Sequence, residues 1–175
     1  DVLANFAGGA ETRVCGVGGD FCDVPIEAYD WGIDVNLRAQ LYFDHAVFSQ
    51  MRRQGSGVIV NIGSVTGEEG DPCAVAYAAS KSGAMRGLTK SVALAGAKYG
   101  IRCVGVAPGP VMTRPGMAAM KTLIGRGADP IEIVNIVLFL ASSHADSVTG
   151  TYILADGGRS VMRDKEHGDY GKYGK

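Results

Sequence analysis

Three side chains of types that can move a proton lie close together in the sequence: Ser64, Tyr77 and Lys81. If the segment around Tyr77 is helical, the four-residue step to Lys81 puts both side chains on one face, one turn apart. A phenol has a pKa of about 10, and a nearby ammonium group lowers it towards neutrality by favouring the phenolate. Ser64, at the end of an apolar run, can hold a carbonyl oxygen beside the phenol. The three residues therefore suit the interconversion of an alcohol and a ketone.

The spacing is a weak signal by itself, because a tyrosine four residues before a lysine is common in helices. Further segments occur in a fixed order around it and follow predicted strands or lie in predicted helices. Taken together, the set resembles the short-chain dehydrogenase/reductase family over residues 1 to about 158. The segments that carry the resemblance are Asn5-Phe6-Ala7-Gly8, Asp34-Val35-Asn36-Leu37, Asn61-Ile62-Gly63-Ser64, Tyr77-Ala78-Ala79-Ser80-Lys81, Ala107-Pro108-Gly109-Pro110-Val111-Met112-Thr113 and Leu154-Ala155-Asp156-Gly157-Gly158.

The resemblance implies a role for each of four residues in proton transfer. Tyr77 would be the acid in ketone reduction and, as phenolate, the base in alcohol oxidation. Lys81 would also hydrogen-bond the nicotinamide ribose, and Ser64 would polarise the substrate carbonyl. Asn36 would hold a water that extends a proton relay to the lysine; the alternative for this residue is a solvated or capping asparagine.

The resemblance also implies a set of residues that bind the cofactor, NAD or NADP. Glycine at positions 8 and 109 would permit the cofactor to approach the backbone closely, and Thr113 could hydrogen-bond the nicotinamide amide. The family's Asn-Asn-Ala-Gly motif is altered at Phe6, which puts in doubt a polar contact that steadies the central strands. The predicted cofactor-binding residues are Asn5, Ala7, Gly8, Tyr77, Lys81, Pro108, Gly109, Val111 and Thr113.

Alternating apolar runs and helical stretches predict an α/β fold, a parallel sheet with helices on both faces. The resemblance makes this a Rossmann-like doubly wound sheet, truncated at the N-terminus with its first three strands missing. The segment Gly16–Phe21 does not fit G-x-G-x-x-G and is interpreted as part of a flexible loop over 8–24. The predicted strands are 1–6, 57–63, 101–107 and 151–155, and the predicted helices are Ile26–Arg53, Ala74–Tyr99 and Pro130–Ser142.

The chain divides into a partial dehydrogenase domain, residues 1–160, and a polar tail, residues 161–175, of which 163–175 are expected to be disordered. Without an upstream neighbour, strand 1–6 would present an apolar edge, so the isolated chain is expected to be poorly soluble or to dimerise through it. The nine residues Arg114–Thr122 form a short substrate-covering segment. That segment would suit a bulky substrate or indicate weak closure.

Composition excludes several classes of function. A net charge of −1 gives no electrostatic footprint for nucleic acid or an anionic membrane. No apolar run is long enough to span a bilayer. The four cysteines form no Cys-x-x-Cys pair, and the three histidines are scattered, so no metal site is expected. The cysteines are interpreted as free thiols in a reducing cytoplasm.

The preferred hypothesis is an NAD(P)-dependent oxidoreductase that interconverts a secondary alcohol and a ketone. By analogy with the family, the two long helices imply a homodimer or homotetramer. One alternative is an inactive remnant of the fold that serves as a binding or interaction module. Another is a reductase of acyl thioesters on a carrier protein, which would need a basic patch near the site; Arg52, Arg53, Arg114 and Lys121 are too few to decide.

Overall fold

The structure is a computed structural model, and it describes residues 1–162. Its centre is a four-stranded sheet in the order β1-β2-β3-β4, in which every neighbouring pair is parallel. The α/β, Rossmann-like doubly wound fold expected from the sequence is confirmed. The strands are β1 (Val2–Asn5), β2 (Gly57–Ile62), β3 (Ile101–Pro108) and β4 (Tyr152–Ala155).

The two long predicted helices are present, and each contains one π-helical turn. The first consists of α2 (Ile26–Ile33), the π turn Asp34–Arg38 and α3 (Ala39–Gln54). After a short α4 (Thr66–Glu69), the second consists of α5 (Val75–Gly83), the π turn Ala84–Leu88, α6 (Thr89–Gly96) and a 3₁₀ turn, Ala97–Tyr99. Within residues 1–162 the last α-helix is α7 (Pro130–Ala141), and the 3₁₀ turns Ser143–Ala145 and Arg159–Val161 follow it.

Sequence signals at the helix ends account for these boundaries. The second long helix stops at Gly100, whose φ of 68° is the left-handed C-terminal cap that glycine adopts without strain. Helix α7 begins with Pro130 after Asp129, which caps it in a reciprocal capping box with Glu132.

The loop predicted over 8–24 is wrong in one part, because α1 (Glu11–Cys15) lies within it. This helix is little more than one turn long, and no side chain caps its N-terminus, so no local sequence pattern predicts it. Gly16–Phe21 opens no helix, as expected.

The sheet is covered on both faces, which explains why its strands are apolar without alternation. On one face α7 packs against Val60 and Val104. On the other, α3 and α6 pack against Ile59 and Cys103. Within residues 1–162, β1 pairs only with β2, so its outer edge has no strand partner.

The tail from residue 163 onward, predicted to be disordered, lies outside the described residues. In the described part of the chain, no helix is long and apolar enough to cross a membrane.

Candidate active site

A cavity of about 570 Å³ opens at the carboxyl ends of β1, β2 and β3, the edge at which open α/β sheets bind ligands. Parallel strands bring the segments that follow them to this one edge, although they are far apart in sequence. The predicted site residues that line the cavity are Gly8, Ser64, Tyr77, Lys81, Pro108, Gly109, Val111 and Thr113.

Lys81 lies one helical turn after Tyr77, with its Nζ 5.7 Å from the centre of the tyrosine ring. Its side chain is buried, and Nζ donates a hydrogen bond to the carbonyl oxygen of Ile62 at 2.9 Å. Burial disfavours the charged form and lowers the pKa of Lys81 from 10.5 to about 8. Keeping Lys81 charged beside the Tyr77 phenol therefore costs desolvation free energy.

Ser64 follows β2 and is held against the end of β3. The backbone N–H of Gly63 donates to the carbonyl of Val106 at 2.7 Å, and that of Val65 donates to the carbonyl of Pro108 at 2.8 Å. The Ser64 hydroxyl accepts a hydrogen bond from the N–H of Thr66 at 3.2 Å. Bonds on both sides of residue 64 thus fix the serine at the cavity wall.

Asn36 does not line the cavity but is fully buried beneath it, in the π turn Asp34–Arg38. Its Oδ1 accepts from the N–H of Gly9 at 3.0 Å, and its Nδ2 donates to the carbonyls of Gly9 and Gly32, both at 2.8 Å. A π turn in a helix frequently marks a functional site. Here the turn carries the asparagine that fastens the loop after β1, so its alternative interpretation as a solvated residue is wrong.

Gly8 is the place where the asparagine and the lysine come together. A Cβ atom on Gly8 would lie 2.6 Å from Asn36 Oδ1 and 2.9 Å from Lys81 Nζ. Any side chain at this position would displace one of the two groups. Glycine is therefore required here by close approach of the polar atoms to the backbone.

Two predicted cofactor contacts, Asn5 and Ala7, are not among the residues lining the cavity. Asn5 is buried, and its Nδ2 donates to Asp44 Oδ1 at 2.7 Å and to Asn61 Oδ1 at 2.8 Å. Its side chain links β1 to β2 and points into this polar cluster. A polar contact between the central strands thus exists despite Phe6, which is half-exposed and lines the cavity.

The polar cluster contains a carboxyl group, that of Asp44, for which residues 1–162 provide no salt-bridge partner. Asp44 is buried, and desolvation raises its pKa, while hydrogen bonds from Asn61 and Asn5 act in the opposite direction. Such a group is tolerated in the interior because both of its oxygens accept hydrogen bonds. The cluster holds α3, β1 and β2 together next to the site.

The segment after β3 supplies the far wall of the cavity. Gly109 passes so close to β4 that a Cβ atom would lie 2.5 Å from the Cα of Asp156. The covering segment contains a 3₁₀ turn, Pro115–Ala119, and Met117 and Met120 both line the cavity.

Two buried residues near the site, Gln40 and Glu11, were not predicted from the sequence. Gln40 Nε2 donates to the carbonyls of Asn36 at 3.1 Å and Ile62 at 3.0 Å, so Ile62 accepts from both Gln40 and Lys81. Glu11, on α1, is fully buried, and its carboxylate accepts two backbone N–H groups at the start of α5. A polar residue at a predicted buried position indicates a buried hydrogen bond. It does not indicate the partner when that partner is distant in sequence.

Within residues 1–162 no cluster of histidine, cysteine and acidic side chains could hold a metal ion. All four cysteines are free, and only Cys103 is buried. Burial raises the pKa of the Cys103 thiol, so it behaves as a packed core residue.

The arrangement matches a protein family. The family model described as "Enoyl-(Acyl carrier protein) reductase" matches residues 1–160. A solved structure described as a short chain dehydrogenase/reductase family protein superimposes with a TM-score of 0.81 at 32% identity, covering 93% of this chain and 68% of that one. The chain belongs to the short-chain dehydrogenase/reductase family.

Several similar proteins are named as dehydrogenases. The chain is 38% identical over 147 residues to cyclopentanol dehydrogenase from Comamonas sp. (78% of this chain, 58% of the relative). It is 37% identical over 143 residues to 3-alpha-(or 20-beta)-hydroxysteroid dehydrogenase from Mycobacterium bovis (79% and 54%). The structure of acetoin dehydrogenase YohF from Salmonella typhimurium superimposes with a TM-score of 0.82 at 32% identity (93% and 66%). The chain thus spans little more than half the length of these two curated relatives.

Proposed function

We propose that the protein is an NAD(P)-dependent oxidoreductase that interconverts a secondary alcohol and a ketone. The observation that carries the proposal is the desolvated Lys81 one turn from Tyr77, in a cavity that Ser64 also lines. Burial makes the lysine charge interact strongly with its surroundings, since water does not screen it. The dehydrogenase relatives support the same chemistry.

Each residue has a distinct part in the reaction. In ketone reduction, the Tyr77 hydroxyl donates a proton to the carbonyl oxygen, and in alcohol oxidation the phenolate accepts it back. The Lys81 ammonium stabilises that phenolate electrostatically. The Ser64 hydroxyl donates a hydrogen bond to the same substrate oxygen and so orients the carbonyl towards the phenol. Asn36 hydrogen-bonds Gly9 and so holds the loop after β1, in which Gly8, without a side chain, leaves room for Lys81 Nζ.

The residues present fit the nicotinamide end of the cofactor. Among the residues that the structure describes, Lys81 Nζ makes one hydrogen bond, to Ile62, which leaves two of its three N–H groups to bind ribose hydroxyls. Gly8 and Gly109 both line the cavity, so a planar ring or a ribose bound there would contact their backbone. When bound, the cofactor supplies or accepts the hydride. Thr113 and Val111 line the same cavity and complete the proposed contacts.

The proposed substrate class is small or moderately bulky secondary alcohols and the corresponding ketones. Cyclopentanol, a hydroxysteroid and acetoin, after the names of the three relatives, form a first panel that spans a range of sizes. The short covering segment with Met117 and Met120 suits apolar substrates of differing shape, because methionine side chains adapt to their contacts.

A carrier-bound acyl thioester is less well supported as a substrate. Among the four basic residues Arg52, Arg53, Arg114 and Lys121, only Arg114 lines the cavity. Arg52 and Arg53 lie at the C-terminal end of α3, which leads into the start of β2 and is therefore at the opposite edge of the sheet. Arg13 and Arg114 are arginines that line the cavity, and Arg52 and Arg53 add nothing to them.

The decisive variant is Tyr77→Phe in the full-length protein. It removes only the hydroxyl, so turnover should fall by at least a factor of 100, while cofactor binding stays within about threefold. Tyr42→Phe is the matched control, because Tyr42 is exposed on α3, away from the cavity. Activity of Tyr77→Phe above a few per cent of the parent would contradict the role.

A fluorescence titration with NADH and NADPH separates the enzyme from the alternative, a remnant of the fold that acts as a binding module. Saturable binding of either nucleotide supports the enzyme and identifies the preferred cofactor. An absence of binding up to millimolar concentration in the full-length protein would favour the remnant.

The proposal extends to assembly and location. A groove between α3 and α6, lined by Leu41, Phe48 and Val92, is proposed to pair with the same groove of a second copy, as in a two-fold dimer. The four free cysteines fit a reducing cytoplasm.

A further inference from the structure

Glu11 is a fully buried carboxylate with an unusual set of partners. Its Oε1 accepts the backbone N–H of Ala76 at 2.9 Å, and its Oε2 accepts that of Tyr77 at 3.1 Å. Within residues 1–162, no lysine, arginine or histidine nitrogen lies within 4 Å of the carboxylate. The negative charge is thus compensated by backbone N–H groups alone.

These two N–H groups are among those that a helix cannot satisfy internally. The first intrahelical bond of this segment is made by Ala78, whose N–H donates to the carbonyl of Ala74. Ala74, at the N-cap position, contributes no side-chain cap. Glu11 therefore caps α5 from 65 residues away in the chain, with a charge that the helix dipole favours at an N-terminus.

The geometry around the carboxylate leaves it little freedom. Gly32 of α2 lies against it, and a Cβ atom there would be 3.3 Å from Glu11 Oε2 and 2.8 Å from the Cβ of Ala76. Three helices, α1, α2 and α5, therefore meet at this point. Moving the carboxylate would leave it buried without hydrogen bonds, which is costly.

We propose that Glu11 is a positioning residue for proton transfer: by holding the backbone N–H of Tyr77, its carboxylate fixes the phenol relative to the loop after β1. The inference rests on the proposed function of Tyr77. Glu11 touches no reacting atom and acts through the helix that carries the phenol. Because the same loop is fastened to Asn36 through Gly9, one rigid unit carries both sides of the site.

The test is Glu11→Gln in the full-length protein, with Glu27→Gln as the matched control. Glutamine keeps one acceptor but points its NH₂ at the second backbone N–H, so one bond is lost. The kcat should fall about tenfold or more, since small displacements of a reacting group are costly, while KM stays within about threefold. Glu27 is exposed on the neighbouring helix α2, and its substitution should leave kcat and KM unchanged.

A merely structural role predicts a different outcome. In that case Glu11→Gln would lower the melting temperature but leave kcat per folded molecule unchanged, and the proposal would be overturned. The milder variant Glu11→Asp keeps the charge but is one methylene short; it should also lower kcat more than it changes KM. An unchanged kcat in this variant would equally count against the proposal.

Hydrogen exchange tests the proposal on the unmodified protein, so the result does not depend on whether a variant folds. The amides of Ala76 and Tyr77 should exchange slowly, because Glu11 alone among the described residues accepts their protons. Fast exchange at both amides would overturn the proposal that Glu11 holds these N–H groups, whatever the activity of the enzyme. If Tyr77→Phe remained active, the proposed function would fail although the amides were protected, so the two failures are distinguishable.

Discussion

Replacing Lys81 by Met should stabilise the cofactor-free protein while abolishing its activity. Burial lowers the pKa of Lys81 from 10.5 to about 8. At pH 7, where the lysine is charged in both folded and unfolded states, this shift corresponds to a cost of roughly 3 kcal/mol. Methionine has a similar length and carries no charge, so the cost disappears.

One hydrogen bond is lost in the exchange, and its loss is small. The carbonyl of Ile62 accepts from Lys81 Nζ but also from Gln40 Nε2 at 3.0 Å, so it remains bonded in the variant. A hydrogen bond from a charged donor contributes about 1.5 kcal/mol or somewhat more. The Lys81→Met protein should therefore be about 1–2 kcal/mol more stable than the parent at pH 7.

The pH dependence gives the sharper signature. Below pH 8, Lys81 is protonated in both states and the full cost applies. Between pH 8 and 10.5 the folded state loses the proton first, so the unfolded state binds more protons and stability rises with pH. The advantage of Lys81→Met should thus shrink by about 1.3 kcal/mol between pH 7 and pH 9.

Urea unfolding of both proteins at pH 7 and pH 9 measures these differences. The other titrating groups, including Cys103, are common to both proteins and cancel in the comparison. An advantage that is equal at the two pH values, or a variant less stable than the parent at both, would refute the argument that Lys81 is held desolvated at a cost to folding.

Two further predictions concern the site and the assembly. Gly8→Ala should lower kcat/KM at least about tenfold, because the new methyl would lie 2.6 Å from Asn36 Oδ1. The control Gly87→Ala should leave kcat/KM unchanged, because no atom lies within 4 Å of its new methyl. Equal kcat/KM values for the two variants would contradict the prediction. Leu41→Glu should halve the molar mass measured by light scattering, because it puts a charge into the groove between α3 and α6, where Leu41 is half-exposed. A molar mass identical to that of the parent would place the subunit interface elsewhere.

The predictable part of the fold came from local chemistry. The apolar runs that became β2 and β3 were recognisable because strands buried on both faces need no polar alternation. Gly100 and the pair Asp129-Pro130 marked helix ends because their backbone preferences act within one turn. The family resemblance extended this to a cavity at one edge of the sheet, where most of the predicted site residues lie.

The missed part depended on contacts between distant segments. Helix α1 is too short to form alone, and the carboxylate of Glu11 anchors it to a helix 65 positions away. The direction of the Asn5 side chain was equally invisible, because it is set by Asp44 and Asn61. Neither partner can be read from the residues that flank Asn5.

The sequence alone therefore determined the residue types, the strand and helix order, and the one-turn spacing of Tyr77 and Lys81, because periodicity and capping act over a few residues. Only the tertiary structure decided that Lys81 is desolvated, that Asn36 lies beneath the cavity, and that Glu11 caps the helix carrying Tyr77. Burial and long-range hydrogen bonds arise when the sheet brings its connecting segments to one edge, and that step joins residues which no local pattern relates.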